Sequence, residues 1–270
     1  MSNAELRGPS ADALADLSEQ LEGVSGSDAA QLGEDLFGIA ALLQDEPGLR
    51  RVVTDAAVDA PAKSGLIRQV LDSKVGAKAL DLVADGVERR WARTRDLADA
   101  LEHLGVVAVV NSAGDDQSRL SDELFAVGEL IDAQPDLRTA LSDPARSRED
   151  KARLLHSLLD GKTLAATLRL AEQALSGSHR SVTVAIEDYQ RIAADAHGQR
   201  VAEVVVAQEM SDAEVGRLEA ALSNQYGRTV HLNIVVDPDI IGGMRVEIGD
   251  DVIDGTVSGR LADARRRLAG

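Results

Sequence analysis

The sequence predicts a mainly α protein: two tandem helical bundles followed by a small α/β C-terminal domain. Three observations lead there. Apolar residues recur at helical spacing through most of the first two-thirds of the chain. The segment from Leu36 to Leu82 returns 88 positions later, with 16 identities in 47 positions. From Val201 onward the apolar period shortens to that of strands.

In chain order, Ser10 to Leu21 reads as an amphipathic lead-in helix carrying Leu14, Leu17 and Leu21, ended by Gly23-Val-Ser-Gly-Ser27. Leu32, Leu36, Ile39 and Leu43 form the next stripe. It stops at Glu46-Pro47, because the residue before proline is pushed out of helical geometry. Leu97, Leu101, Leu104 and Val107 close the first copy. The second copy opens on Leu120, Leu124, Val127 and Ile131, again stopped by Gln134-Pro135. Lys151 to Leu159 and Leu164 to Leu175 are two further helices around Asp160-Gly161. Another runs from about Ser181 to His197, with Gly198 as its stop.

The repeat pairs chemically distinct residues, which shared richness in Ala and Leu would not do. Leu36-Phe37 returns as Leu124-Phe125, and Pro47-x-Leu49-Arg50 as Pro135-x-Leu137-Arg138. Lys63 returns as Lys151, Leu66 as Leu154, Leu71-Asp72-x-Lys74 as Leu159-Asp160-x-Lys162, and Leu80-x-Leu82 as Leu168-x-Leu170. The period is too long for a solenoid, so it marks a duplicated domain. Phe37 and Phe125 are therefore expected in equivalent buried sites, as are Leu80 and Leu168.

Past Val201, a short β-branched run to Ala207 is followed by Ser211-x-x-Glu214, a capping box opening a helix with Val215, Leu218 and Leu222 on one face. Val230, Leu232, Ile234 and Val236 alternate as a strand stopped by Asp237-Pro238. Gly242 and Gly243 let the chain bend into a strand of Met244, Val246 and Ile248. Gly249-Asp250 turns it, Val252-Ile253 returns, and Val257, Leu261, Ala264 and Leu268 stripe a closing helix.

Composition narrows the function classes. With 29 basic and 46 acidic residues, a net charge of −17 lacks the clustered positive charge that nucleic acid requires. One Trp, two Tyr and two Phe offer no stacking platform for bases. Without cysteine there is no disulfide and no thiolate ligand. The longest wholly apolar run, Val106 to Val110, is far too short to cross a bilayer, and Met1 to Gly8 lacks the apolar core of a signal peptide. Membrane association would therefore run through another protein.

Motifs of chemistry are missing: no phosphate loop, no G-x-S-x-G elbow, no H-E-x-x-H pair. No catalytic residue, metal ligand or cofactor is expected. His103, His156, His179, His197 and His231 are scattered. Asp250, Asp251 and Asp254 are the one acidic cluster on which a metal-dependent hydrolase could be built, but they read as turn-formers and a helix cap. Arg265-Arg266-Arg267 could meet acidic lipid or protein, but reads first as complementing the negative end of the last helix. Arg89, Arg90, Arg93 and Arg95 around Trp91 read equally as a partner surface or a solvated face.

The residues from Ile241 to Leu261, in the pattern G-G-x-x-V-x-x-G-D-x-V-I-D-x-T-V-x-x-x-L, closely resemble the C-terminal signature of the F-type ATP synthase delta subunit family, which includes the mitochondrial oligomycin-sensitivity-conferring protein. Its carriers are Gly242, Gly243, Val246, Gly249, Asp250, Ile253, Asp254, Val257 and Leu261. Gly198-Gln-Arg-Val-Ala-Glu-Val204 is also similar to the family's interdomain junction. The resemblance implies a six-helix bundle over 112–200 and a stalk-binding α/β domain over 201–270. Residues 1–111 form the duplicated bundle, as in long actinobacterial delta subunits.

It further implies a non-catalytic stator subunit, peripheral on the cytoplasmic face of the bacterial plasma membrane. N-terminal helices of alpha subunits would bind a helical bundle, and the b subunit would bind the C-terminal domain. Leu124, Phe125, Val127, Leu168 and Leu175 are the residues expected to line the groove for the alpha helix. A helical scaffold outside the ATP synthase is the alternative, and it would lack the C-terminal signature.

Overall fold

The structure is a computed structural model that describes residues 6–21, 23–176, 178–196, 200–208, 210–226, 230–237, 240, 242–248 and 251–257. The chain divides into two compact units, 1–193 and 194–270. The first is helical: α1 (Pro9–Glu19), α2 (Gly26–Asp45), α3 (Pro47–Thr54), α4 (Ala60–Leu71), α5 (Ala77–Glu88), α6 (Asp96–Ser112), α7 (Gln117–Ala133), α8 (Pro135–Ser142), α9 (Arg148–Leu159), α10 (Ala165–Gln173) and α11 (Val182–Ala196).

Local chemistry sets the breaks. Glu46 (φ −113°, ψ 81°) and Gln134 (φ −117°, ψ 93°) leave helical geometry before their prolines. Pro47 and Pro135 then open α3 and α8 in the first turn, where a missing N–H costs nothing. Ser147 caps α9, its hydroxyl accepting the Asp150 N–H at 3.1 Å. Both α3/α8 and α4/α9 begin and end 88 residues apart, and α5/α10 begin 88 apart.

Two apolar cores fill this unit, and α6 belongs to both. Leu97, Ala98, Ala100, Leu101, Leu104 and Ala108 point into the core built with α1–α5. Val106, Val109 and Val110 point into the core built with α7–α11. A helix apolar on all sides must be buried on all sides. Val106, Val109 and Val110 of the apolar run are the second stripe of this shared helix.

The α2–α6 packing is tight. A side chain on Gly33 would lie 2.6 Å from the Val109 Cγ2, and one on Gly105 would lie 2.7 Å from the Phe37 ring. Phe37 thereby joins the second core and is only 3% exposed. The Arg169 guanidinium covers its ring, 4.6 Å from the centroid, and pairs with Glu34. Phe125, its repeat partner, is half-buried, so the expectation of equivalent burial fails for this pair. The cause is local: Phe37 faces the neighbouring bundle. Leu80 and Leu168 are alike, both half-buried.

The second unit holds β1 (Arg200–Val206), α12 (Asp212–Tyr226), β2 (Val230–Val236), β3 (Met244–Ile248) and β4 (Asp251–Asp254), with sheet order β2-β1-β3-β4. β1 and β2 run parallel across the α12 crossover, Val204 opposite Ile234. β3 is antiparallel to β1 and to β4, with Val246 opposite both Val204 and Ile253. Ala202, Val204, Val206, Leu232, Val246 and Ile248 form the covered face, with Leu222 of α12 in the same core. The capping box is present: the Ser211 N–H donates to the Glu214 carboxylate at 2.9 Å.

Candidate partner-binding surfaces

The residues expected to line a groove separate into two groups. Leu124 and Val127 lie inside the second core, at 0% and 3% exposure, where a partner could reach them only by opening the bundle. Phe125, Leu168 and Leu175 are half-buried and reach the surface. Leu168 shares its part of the bundle with Leu154 and Leu158 of α9, also half-buried.

The arginines around Trp91 are mostly engaged within the chain. Arg89 pairs with Asp16 and Asp85, Arg93 with Asp96, and Arg95 with Asp99. The indole N–H donates to the Gly86 carbonyl at 2.8 Å. The Ser10 hydroxyl donates to Asp96 at 2.7 Å and accepts the Ala92 N–H at 2.8 Å, tying α1 to the start of α6. These bonds stitch α1, α5 and α6 together within the first bundle.

Sequence reasoning missed a buried polar junction between α6, α11 and the segment joining α10 to α11. The Glu102 carboxylate accepts from Gln173 (3.1 Å), Ser178 (2.7 Å) and the Tyr189 hydroxyl (3.0 Å). His179 and Asp188 approach at 3.3 Å. Burial, then the Glu102 charge, raises the Tyr189 phenol well above its ordinary range. Burial also pushes His103 down to about 4, and its Nδ1 has no hydrogen-bond partner. The one sequence signal was Glu102 itself, the last carboxylate before the apolar second half of α6.

In the second unit, Gly242 (φ +147°) and Gly243 (φ +86°) precede β3. After β4 the chain returns onto them: the Gly255 N–H donates to the Met244 carbonyl at 2.9 Å, and the Val257 N–H to the Gly242 carbonyl at 3.0 Å. A Cβ on Gly243 would meet the Gly255 carbonyl oxygen and lie 2.9 Å from the Thr256 Cα. The glycine pair, Val246, Ile253 and Val257 are thus parts of one folded-back strand unit. Val257 is 41% exposed. Gly249, Asp250 and Leu261 lie outside the described residues, as do His197, Arg265, Arg266 and Arg267. Asp251 and Asp254 occupy the two ends of β4. Beside the glycine pair an open groove runs between α12 and the ends of β1 and β3, lined by Val206, Met210, Leu218, Ala221 and Met244.

The profile of the ATP synthase delta (OSCP) subunit matches residues 106–268. The chain belongs to the ATP synthase delta (OSCP) subunit family. The match begins within α6, where its side chains turn to the second core. Full-length relatives extend the family likeness over the first bundle. The ATP synthase subunit delta of Nocardioides sp. is 58% identical over 270 residues, covering 99% of this chain and 98% of that one. Those of Streptomyces avermitilis and Thermobifida fusca are 41% and 39% identical, covering 97% and 98% of this chain and 98% and 100% of theirs. The duplicated bundle is therefore shared with long delta subunits from these bacteria.

Proposed function

We propose that the chain is the peripheral-stalk subunit that joins the catalytic head of a proton-translocating F-type ATP synthase to its b subunit, resisting rotor torque without catalysing a reaction. Family membership over the whole chain carries this reading. The division of the protein into a helical unit and an α/β unit supports it, because a connector needs two separate holding surfaces. The bundles, over about residues 1–111 and 112–200, take N-terminal helices of alpha subunits, with Phe125, Leu168 and Leu175 at the surface. The α/β unit takes the helical end of b in the groove beside Gly242 and Gly243. Among the described residues no helix is long and apolar enough to cross a membrane. Attachment to the cytoplasmic face of the plasma membrane then runs through the complex.

The test compares ATP hydrolysis with proton pumping in vesicles stripped of this chain and rebuilt with it. Hydrolysis persists without the chain, while pumping disappears and returns on rebuilding. A fragment lacking 201–270 binds the head and restores no pumping. Full pumping without the chain overturns the reading.

A further inference from the structure

Sulfur is placed unevenly in this chain. There is no cysteine, and the three methionines are Met1, Met210 and Met244. Neither helical core contains a methionine. Met210 and Met244 instead stand together in the α/β unit, lining the open groove between α12 and the ends of β1 and β3. Register accounts for the meeting. Met244, the first residue of β3, lies opposite Val206, the last of β1, and Met210 follows Val206 at the entry to α12. Each is half-buried, packed against the core of Val204, Leu222 and Val246 while still reaching the groove.

A thioether at such a place is adaptable packing material, and it is the only kind of oxidisable sulfur in the chain. Hydrogen peroxide oxidises it by two electrons. A sulfur lone pair takes one peroxide oxygen, the S–O bond forms as the O–O bond breaks, and the other oxygen leaves as water. The product, methionine sulfoxide, puts a strong hydrogen-bond acceptor where Val206, Leu218 and Ala221 make the wall apolar. The charged residues at the rim are engaged locally, Glu214 with Ser211 at 2.6 Å and Arg217 with the Ala213 carbonyl at 3.0 Å. An apolar partner pressed on this wall would leave the new acceptor dry and unpaired, which weakens the contact. Methionine sulfoxide reductase reverses the step: two thiols become a disulfide, the oxygen leaves as water, and the thioether returns.

We infer that Met210 and Met244 form a reversible oxidation site of the α/β unit, whose sulfoxides keep b out of the groove. This rests on the reading of that groove as the b site and adds a redox control to it. Oxidation acts on the chain before b covers the groove, so an oxidised subunit is withheld from the stalk until it is reduced.

The test treats the full chain with dilute hydrogen peroxide, locates the added oxygen by peptide mass spectrometry, and titrates the product with the soluble part of b. Met210 and Met244 gain one oxygen each, and binding of b weakens roughly tenfold. Methionine sulfoxide reductases A and B with dithiothreitol restore the affinity. In Met210→Leu/Met244→Leu, the affinity for b is the same before and after peroxide. Bound b slows oxidation at both positions but not that of an added methionine peptide. Hydrogen exchange of the β1 and β3 amides stays at its untreated rate, which separates a polar groove from an unfolded unit. Full affinity for b with both sulfoxides in place overturns the inference and leaves the stalk reading standing. So does peroxide that consumes the added peptide and spares Met210 and Met244. Loss of b from the treated double-leucine chain, failure of the reductases to restore binding, or unprotected β1 and β3 amides after treatment overturns it as well. An untreated wild-type chain that does not bind b overturns the stalk reading itself, and the redox control with it.

Discussion

Replacing Gly243 by alanine adds one methyl group and should open the α/β unit. Two costs combine. The residue sits at φ +86°, where a side chain costs ~1–2 kcal/mol. The new Cβ would also stand 2.9 Å from the Thr256 Cα and closer to the Gly255 carbonyl oxygen, both backbone atoms with no rotamer to yield. Relief requires the 255–257 segment to move off, giving up the bonds from Gly255 to Met244 and from Val257 to Gly242. At ~1 kcal/mol net for each bond, the total reaches ~3–4 kcal/mol. Folded stability is ~0.05–0.15 kcal/mol per residue, so a loss of that size is a large share for this unit. Hydrogen exchange of the β1 and β3 amides is the direct measurement. It should accelerate about 10²- to 10³-fold at ~1.4 kcal/mol per decade, while Trp91 fluorescence reports an unchanged helical unit. Wild-type exchange rates in Gly243→Ala would refute the steric argument. Val257→Asp should be much milder, since that side chain is already 41% exposed.

Further outcomes follow from the helical unit. Leu104→Ala in the shared helix should cost ~2–5 kcal/mol and lower the melting of both bundles in one transition; a first bundle that melts alone would contradict the shared core. His103 has its folded pKa lowered from 6.5 to about 4, so the unfolded chain binds the proton first as pH falls. Stability from this group is whole above pH 6.5 and declines towards pH 4, by ~2 kcal/mol at pH 5. Urea unfolding at pH 7 and pH 5 should show that slope in wild type and a smaller one in His103→Gln. Glu102→Ala leaves the Tyr189 hydroxyl and Gln173 amide without their acceptor, and should free the 174–181 segment to proteolysis.

Where a residue's effect is local, the sequence was readable. The breaks at Glu46-Pro47 and Gln134-Pro135, the Ser211–Glu214 box and the alternation in β2 and β3 each act over a few positions, and each lies where sequence reasoning put it. The repeat extended that reach, because an 88-residue offset transfers an element from one copy to the other. The short helices α3 and α8 escaped because eight residues carry too few apolar positions to show a period: one buried residue in α3, Val53, and two in α8, Leu137 and Leu141. Tertiary placement was hidden. Nothing within α2 says that Phe37 will lie against Gly105 while Phe125 stays half-covered. The same limit applied to the expected groove, where Leu124 and Val127 fall inside and Phe125 is half-buried within a single turn of one helix.

The shared helix gives the duplication a mechanical meaning. Two bundles joined by a flexible linker would turn independently, so a load on one would first take up slack before reaching the other. Here the last helix of the first bundle is also the wall of the second. α6, about 25 Å long at 1.5 Å per residue, gives Leu97, Leu101 and Leu104 to one core and Val106, Val109 and Val110 to the other. Moving the bundles apart would strip one of these stripes into water, at ~1.5–3 kcal/mol for each buried side chain; were α6 to leave with the second bundle, the Gly33–Val109 and Phe37–Gly105 approaches to α2 would break as well. On the stator reading, that stiffness is what a second bundle adds. It ties the first bundle to the second through one helix, so a load on either is passed to the other without slack. A chain with a hinge between its bundles would instead give way through the hinge's range before it carried any load.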